Sequence, residues 1–263
     1  MERRNHSPGR DALPAHGRVS IVGTGPGGAE HLTFAARDAI KRAATIIGYR
    51  TYLDLIPELL TGKEVLSSAM MQEVDRCKKA LALAADGQEI ALVCGGDPGI
   101  YAMAGLVFEL AAEQKSPAEI EVIPGLAALN SCAARLGAPL MHDFAAISLS
   151  DLLTPWSLIE KRLAAAAEAD FVIVLYNPKS KKRTSHLDRA RELILAHRAP
   201  GTPVGIVTAA TRENETITLT TLGQLPQAEV NMQSTVIVGN SKTFRWRDFM
   251  VTPRGYADKY TLS

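Results

Sequence analysis

The sequence predicts an α/β protein of two domains, each built on a β-sheet flanked by helices. Short apolar runs rich in β-branched residues alternate along the chain with longer segments whose apolar residues recur every three or four positions. This alternation is typical of strand–helix–strand crossovers, which place helices on the faces of a sheet. The chain has 263 residues, which is enough for two compact domains.

The first half of the chain predicts a mainly parallel sheet. Its strand candidates are nearly continuous in apolar residues, as expected of strands buried on both faces, and they lie at residues 19–22, 44–47, 90–94 and 120–123. Helical spacing is found at residues 30–43, 72–85, 102–114 and 126–136. We expect the strands to run parallel because helices connect them.

The second half predicts a mixed sheet. Strand candidates lie at residues 145–149, 171–176, 204–208 and 236–238, and helices at 157–167 and 185–197. The Thr-rich segment 215–220 suggests an added antiparallel strand. We place the domain boundary near residues 139–144, where Pro139 and the polar His142-Asp143 interrupt the pattern, which gives an N-terminal domain of residues 18–140 and a C-terminal domain of residues 141–256. Residues 1–17 and 257–263 are expected to be tails, the first of them flexible.

Composition and charge exclude several classes of protein. A net charge of +1 lacks the basic excess of a generic nucleic-acid binder, and a hydrophobic share of 46% excludes wholesale disorder. Cys77, Cys94 and Cys132 are too scattered for a disulfide framework and indicate buried thiols in a reducing compartment. The sequence has no metal-binding motif and no apolar run of about 18 residues. We therefore expect a soluble, cytoplasmic protein that binds no metal, membrane or nucleic acid.

A glycine-rich loop follows the first strand. Gly23, Gly25 and Gly28 match the GxGxxG pattern of dinucleotide-binding loops. That function also requires a carboxylate about 20 residues further on, and residues 46–49 contain none. Pro26 in addition removes a backbone donor. The remaining interpretations are a tight turn and a loop that lies close to a flat ligand.

Other predicted strands end in similar loops. Gly95-Gly96-Asp97-Pro98 follows residues 90–94, and its Asp and Pro suit the N-cap and first turn of the next helix. Its glycines exceed what capping needs and leave room for a ligand at the strand end. Pro124-Gly125 and Asn177-Pro178 end further strands. Because ligands bind outside the carboxyl ends of parallel strands, we expect a ligand between the two domains.

Charged residues in the second half leave two interpretations open. The basic run from Lys179 to Arg183 is either a solvated loop or part of a crevice that attracts a polyanionic substrate. His31, His186 and His197 are expected to be solvated, whereas His142 lies at the domain junction.

Taken together, these motifs resemble those of the tetrapyrrole methylases in order and spacing. The resemblance extends from about residue 18 to 256 and rests on segments 23–27, 95–98, 123–128, 136–140, 176–178 and 236–239. Within that family, a further set of segments is similar to the branch that methylates C17 of precorrin-3B and contracts the macrocycle to precorrin-4 in cobalamin biosynthesis. They are residues 48–53, 72–77, 99–105, 142–144, 147–156 and 252–256.

The resemblance implies a homodimeric enzyme with S-adenosylmethionine bound between its two domains. The positions that match the family's cofactor motifs are Pro26, Gly95, Gly96, Asp97, Ile100, Ala127, Ala128, Asn177, Ala210 and Gly239. Candidates for proton transfer during ring contraction are Glu73, His142, Asp143 and Asp151. Arg50, Arg76 and Lys179 are expected to bind the substrate's carboxylates.

Alternative functions remain open at this point. A C-methyltransferase for another tetrapyrrole, such as uroporphyrinogen III, precorrin-4 or the cobalt-containing factor III, fits the same fold. So do a tetrapyrrole- or nucleotide-binding module without turnover and, less well, a ribosomal RNA methyltransferase, against which the near-zero net charge argues.

Overall fold

The computed structural model describes residues 16–68 and 72–261 and contains two five-stranded sheets. The predictions made for residues 1–15 and 262–263 lie outside the described residues. Among the described helices, none is long and apolar enough to cross a membrane. The α/β class, with a parallel first sheet and a mixed second sheet, is confirmed.

The first sheet is fully parallel and has the strand order β3-β2-β4-β1-β5. Its strands are β1 (Arg18–Gly23), β2 (Thr45–Tyr49), β3 (Glu64–Ser68), β4 (Glu89–Cys94) and β5 (Glu119–Ile123). The sequence pattern missed β3, because it is an edge strand whose Glu64 and Val65 are exposed and which therefore has no continuous apolar run.

Helices cover both faces of this sheet. They are α1 (Phe34–Arg42), the single turn α2 (Arg50–Leu53), α3 (Glu73–Ala85) and α4 (Ala104–Gln114). Ile40 of α1 packs on one face beside Val22, whereas Val107 of α4 packs on the other face beside Ile21. The helices that follow β1 and β4 thus lie on opposite faces. The neighbouring carboxyl ends of these two strands form the switch point at which open parallel sheets bind ligands.

The second sheet is mixed and has the order β10-β9-β11-β8-β7. Its strands are β7 (Phe144–Ser148), β8 (Val172–Tyr176), β9 (Pro203–Thr208), β10 (Thr216–Thr221) and β11 (Ser234–Val238). Only β7 and β8 pair in parallel, and β10 is the expected antiparallel strand. One face carries α6 (Trp156–Glu168) and α7 (His186–Leu195), whose apolar sides share a core with Leu175 and Ile206.

Helix α5 (Ala128–Leu136) covers the other face of the second sheet. Its Leu129 and Leu136 pack with Val174 and Val207. The domain boundary near residue 140 stays a prediction, but this helix, which precedes it, is packed on the second sheet. A small third sheet joins β6 (Gly137–Ala138) to the hairpin of β12 (Phe244–Trp246) and β13 (Phe249–Val251), none of which the sequence pattern predicted.

Candidate functional site

The loops that follow β1 and β4 are bonded to each other through their backbones, and the loop that follows β5 lies against both. The amides of Gly25 and Gly96 each donate to the other's carbonyl, at 3.1 and 2.7 Å. A Cβ on Gly23 would lie 2.6 Å from the amide nitrogen of Gly125 and 2.6 Å from the carbonyl oxygen of Gly96. Glycine is required at position 23 because backbone meets backbone there, and the three loops form one rigid rim.

Gly95 and Gly96 have different surroundings. A Cβ on Gly95 would lie 2.3 Å from the ring of Tyr52, so this glycine makes room for protein rather than for a ligand. Gly96 has a φ of +67°, and its Cβ would meet nothing nearer than the amide nitrogen of Ala128 at 3.8 Å and Cα of Ala127 at 4.0 Å. The open space at the rim is therefore at Gly96.

The sequence led us to expect that Asp97 caps the following helix, but in the structure it does not. Helix α4 begins at Ala104, with Met103 as its N-cap. One carboxylate oxygen of Asp97 accepts from the amide of Gly99 at 2.8 Å, and the other accepts from the amide of Gly125 at 3.2 Å. The side chain thus closes its own turn and ties the β4 loop to the β5 loop.

The N-terminus of α5 faces this rim. Ala127 is its N-cap and makes no side-chain capping bond, and the amide of Leu129 donates to the hydroxyl of Tyr176 at 2.9 Å. Burial raises the pKa of Tyr176 to about 12, although the bond from Leu129 acts in the opposite sense, so the phenol keeps its proton at neutral pH. A helix N-terminus with small first residues favours a negatively charged ligand group.

Two residues with left-handed backbone lie where the sheets meet: Tyr101 joins the β4 loop to the second sheet, and Asn177 joins β8 to β7 within that sheet. Tyr101, with a φ of +52°, donates its hydroxyl to the carbonyl of Ala146 at 2.8 Å, and its ring centre lies 5.1 Å from that of Tyr176. Asn177, with a φ of +49°, donates its side-chain amide to Ser148 Oγ at 3.0 Å. Sequence reasoning gave neither Tyr101 nor Tyr176 a role, although both lie in segments that resemble the family.

The loop after β9 joins the second sheet to the β1 loop. Arg212 Nε donates to the carbonyl of Pro26 at 2.7 Å, and Thr211 Oγ1 donates to the carbonyl of Gly27 at 3.2 Å. Glu215 accepts from the amide of Thr211 and from Arg135 Nε. Burial tends to raise the pKa of Glu215, but these hydrogen bonds lower it overall. Nothing in the sequence pattern indicated this connection.

Most of the expected cofactor residues come together between the sheets. Gly96 and Asp97 belong to the β4 loop, and Pro26 belongs to the β1 loop that is bonded to it. One apolar cluster brings together Ile100, Ala127 and Ala210 from three different loops. Ala128 is the first residue of α5, and Asn177 follows β8. A cleft of about 420 Å³ between the loop at Glu30 and the α5 face at Asn130 is lined by none of these residues.

Gly239 lies away from the others, and the direction of its strand explains why. Strand β11 runs antiparallel to β8, with Val238 beside Ile173 at the start of β8. The end of β11 is therefore at the opposite edge of the sheet from Asn177, about 15 Å away at 3.3 Å per residue. Gly239 therefore lies apart from the other matched residues, and its part in cofactor binding stays a prediction.

The residues expected to bind substrate differ in exposure. Arg76 is 5% exposed and donates to Ser68 Oγ and to Glu73, which gives it a structural role between β3 and α3. Arg50 is exposed and paired with Asp54 four residues on. Lys179 is half-buried directly after Asn177-Pro178. Contacts of these three side chains with substrate stay predictions.

The candidates for proton transfer lie in three places. Glu73 is on the first turn of α3. His142 and Asp143 are exposed neighbours before β7, where the amide of Asp143 donates to His142 Nδ1. Asp151 lies 3.2 Å from Nε2 of His186, which is 18% exposed and not solvated as expected. Proton transfer by these candidates stays a prediction.

The geometry of the described residues fits S-adenosylmethionine. Within residues 16–68 and 72–261, no three His, Cys, Asp or Glu side chains are placed to hold a metal ion. The space beside Gly96, which a Cβ would fill, and the N-terminus of α5, where Ala127 makes no side-chain capping bond, suit a ligand with a flat part and a carboxylate. Gly96, Asp97, Ile100, Ala127, Ala128, Asn177 and Ala210 would hold it.

Comparison with known proteins places the chain in a family. The family model of tetrapyrrole (corrin/porphyrin) methylases matches residues 18–226. The chain is 49% identical to a probable cobalt-factor III C(17)-methyltransferase of Salmonella typhimurium, over 90% of this chain and 99% of that protein. It is 42% identical to a precorrin-3B C(17)-methyltransferase of a Sinorhizobium species, over 92% and 98% of the two chains.

A longer relative and a solved structure extend this similarity. The cobalt-factor III methyltransferase of Priestia megaterium is 49% identical over 94% of this chain, but the chain spans only 46% of that protein. The crystal structure of the methyltransferase CobJ superposes with a TM-score of 0.84 at 36% identity, covering 90% of this chain and all of the other. The chain therefore belongs to the tetrapyrrole methylase family.

Proposed function

We propose that the chain is an S-adenosylmethionine-dependent enzyme that methylates C17 of a tetrapyrrole, with ring contraction, in cobalamin biosynthesis. One observation carries the proposal: loops from both sheets meet around Ile100, Ala127 and Ala210, in a chain whose similarity to named C17-methyltransferases covers almost its whole length. A binding module without turnover and a ribosomal RNA methyltransferase receive no comparable support.

The cofactor's sulfonium supplies an electrophilic methyl group when bound. The chain's own residues then have to hold the donor and the substrate carbon in line, and such alignment supplies roughly 7–11 kcal/mol of a barrier. Asp97 fixes the β4 and β5 loops, Arg212 fixes the β1 loop, and Tyr176 fixes the start of α5. These contacts are within the protein, so the site is formed before a ligand enters.

The tetrapyrrole that we propose first is cobalt-factor III. Relatives at 49% identity carry that name, whereas the relative named for precorrin-3B is 42% identical. Precorrin-3B, which has the same C17 position without cobalt, is the second candidate. Both substrates carry carboxylates around a flat ring, which favours basic groups at the mouth of the site.

We also propose that the protein is a cytoplasmic homodimer. Phe244, Trp246 and Phe249 are all about half exposed on the β12–β13 hairpin, and a cluster of exposed aromatic residues is typical of an interface. Sedimentation velocity is the direct test, because a monomer at micromolar concentration would contradict the dimer.

The test of the function is anaerobic incubation with S-adenosylmethionine that carries a ¹³C-labelled methyl group. Cobalt-factor III, precorrin-3B and uroporphyrinogen III are supplied in separate reactions. We expect one labelled methyl group at C17 of the product from one of the first two, detected by mass spectrometry and NMR. Label transfer only to uroporphyrinogen III, or to none of the three, would overturn the proposal.

A further inference from the structure

The loop between β7 and α6 presents two leucines to solvent. Leu152 is 72% exposed and Leu153 is 98% exposed, at the tip of the irregular segment 149–155. Single exposed apolar residues are common on protein surfaces, but two adjacent leucines with almost no packing are a reason to look for a ligand.

Both ends of this loop are fixed. Asp151 bonds to Nε2 of His186 at 3.2 Å. Trp156, the first residue of α6, packs edge-on to the His186 ring, with ring centres 4.1 Å apart, and contributes to the core of the second sheet. The two leucines therefore lie between anchored residues, and their exposure is not the result of a loose loop.

The loop stands on the same rim as the cofactor residues of the second sheet. Ser148, which ends β7, accepts a hydrogen bond from the side chain of Asn177 and another from the amide of Ser150. The buried Arg183 donates to the carbonyl of Asn177 at 3.0 Å. Leu152 follows four residues after Ser148, so the loop that carries the leucines begins at this rim.

The chemistry of the neighbouring loop indicates what the leucines contact. The loop after β8 carries Lys181 and Lys182, both exposed. The Asp151–His186 contact joins this loop to the one that carries the leucines, and exposed apolar and ammonium groups on adjoining loops match a ligand with a flat apolar centre and a border of carboxylates. A tetrapyrrole has this form. The cofactor residues on the same rim place the reacting end of such a ligand close by.

We propose that Leu152 and Leu153 pack against the apolar face of the tetrapyrrole substrate and contribute to its affinity. This inference rests on the proposed function and adds to it a contact that holds the macrocycle at the rim of the second sheet. The leucines act through substrate binding alone, so the affinity for S-adenosylmethionine does not depend on them.

The test compares three full-length variants in a W246F background, in which Trp156 is the one remaining tryptophan of the two in the sequence. Quenching of its fluorescence by cobalt-factor III or precorrin-3B gives the Kd of the substrate. L152S/L153S should raise that Kd and the substrate KM at least tenfold, with the Kd for S-adenosylmethionine unchanged. L152I/L153I should stay within twofold of the parent.

The matched control is F108S, because Phe108 is 48% exposed on α4, away from the rim. It should change neither constant. The inference is overturned if the parent is active and L152S/L153S keeps its substrate Kd within twofold. It is also overturned if that variant alters only the sedimentation coefficient, since the leucines would then contact a second copy. Absence of methyl transfer by the unmodified chain would instead refute the proposed function.

Discussion

Replacing Gly96 by alanine separates a ligand-contacting glycine from one that is needed for backbone geometry alone. Its φ of +67° is in the left-handed region, so G96A strains the backbone. That strain costs roughly 1–2 kcal/mol of unfolding free energy. The new Cβ would still be 3.8 Å from the nearest protein atom, so it adds no clash within the chain.

Gly62 is the matched control. Its φ of +75° imposes the same strain, its Cβ would meet nothing within 4 Å, and it precedes the edge strand β3, away from the rim. Both variants should therefore lose similar stability, seen as a fall in Tm of about 2–4 °C per kcal/mol. Only G96A should also weaken the binding of S-adenosylmethionine.

The expected loss of affinity follows from contact distances. A ligand atom packed against Cα of Gly96 at about 3.5–4 Å would be well inside contact distance of an added methyl group. We expect at least a tenfold rise in the Kd by isothermal titration calorimetry, or about 1.4 kcal/mol. Equal Kd values for G96A and G62A would refute the assignment of Gly96 to the site.

Three further predictions follow from the contacts described. R212A should weaken S-adenosylmethionine binding and lower the unfolding free energy by about 1–2 kcal/mol, since it loses the bond between the sheets. The control is R191A, which loses hydrogen bonds to the carbonyls of Leu222 and Gly223 just after β10. It should lower the unfolding free energy in urea titrations but leave the Kd for S-adenosylmethionine, measured by calorimetry, unchanged. Because its hydrogen bonds lower the pKa of Glu215, the stabilisation is present above the ordinary glutamate pKa and is lost as the pH falls through the lowered value. Urea titrations from pH 7 to 3.5 should therefore show the difference between wild type and E215Q shrinking at the acid end, and a constant difference would contradict this. Burial raises the pKa of Cys94 to about 12, and all three thiols are buried, so iodoacetamide at pH 8 should alkylate them only in urea, as mass spectrometry would report.

The sequence predicts the buried strands well, because strands covered on both faces read as continuous apolar runs. Strands at edges or in small sheets escape that signal: β3 is exposed, and β6 has only two residues. A run of apolar residues also does not indicate in which direction a strand runs within its sheet. Gly239 matches a cofactor motif of the family, but β11 runs antiparallel to β8, so this residue lies at the opposite edge of the sheet from Asn177.

Within the site, the sequence indicates where the glycine-rich loops lie better than it indicates what each residue in them does. The glycine-rich loops were correctly located, yet Gly23 and Gly95 are small because backbone and the Tyr52 ring lie against them. Asp97 looks like a helix cap and instead joins two loops, because its partner Gly125 is 28 residues away in sequence. Contacts between distant segments, such as Arg212 with Pro26, have no signature in a single sequence.

The position of α5 has a consequence for how this chain can be divided. Its apolar side is buried by the second sheet, although the helix precedes the strands of that sheet. A fragment cut at residue 140 would leave Leu129 and Leu136 facing water and would be expected to aggregate, whereas a cut before residue 128 keeps the helix with its partners. Chimaeras made between related methylases should therefore exchange the helix together with the second half.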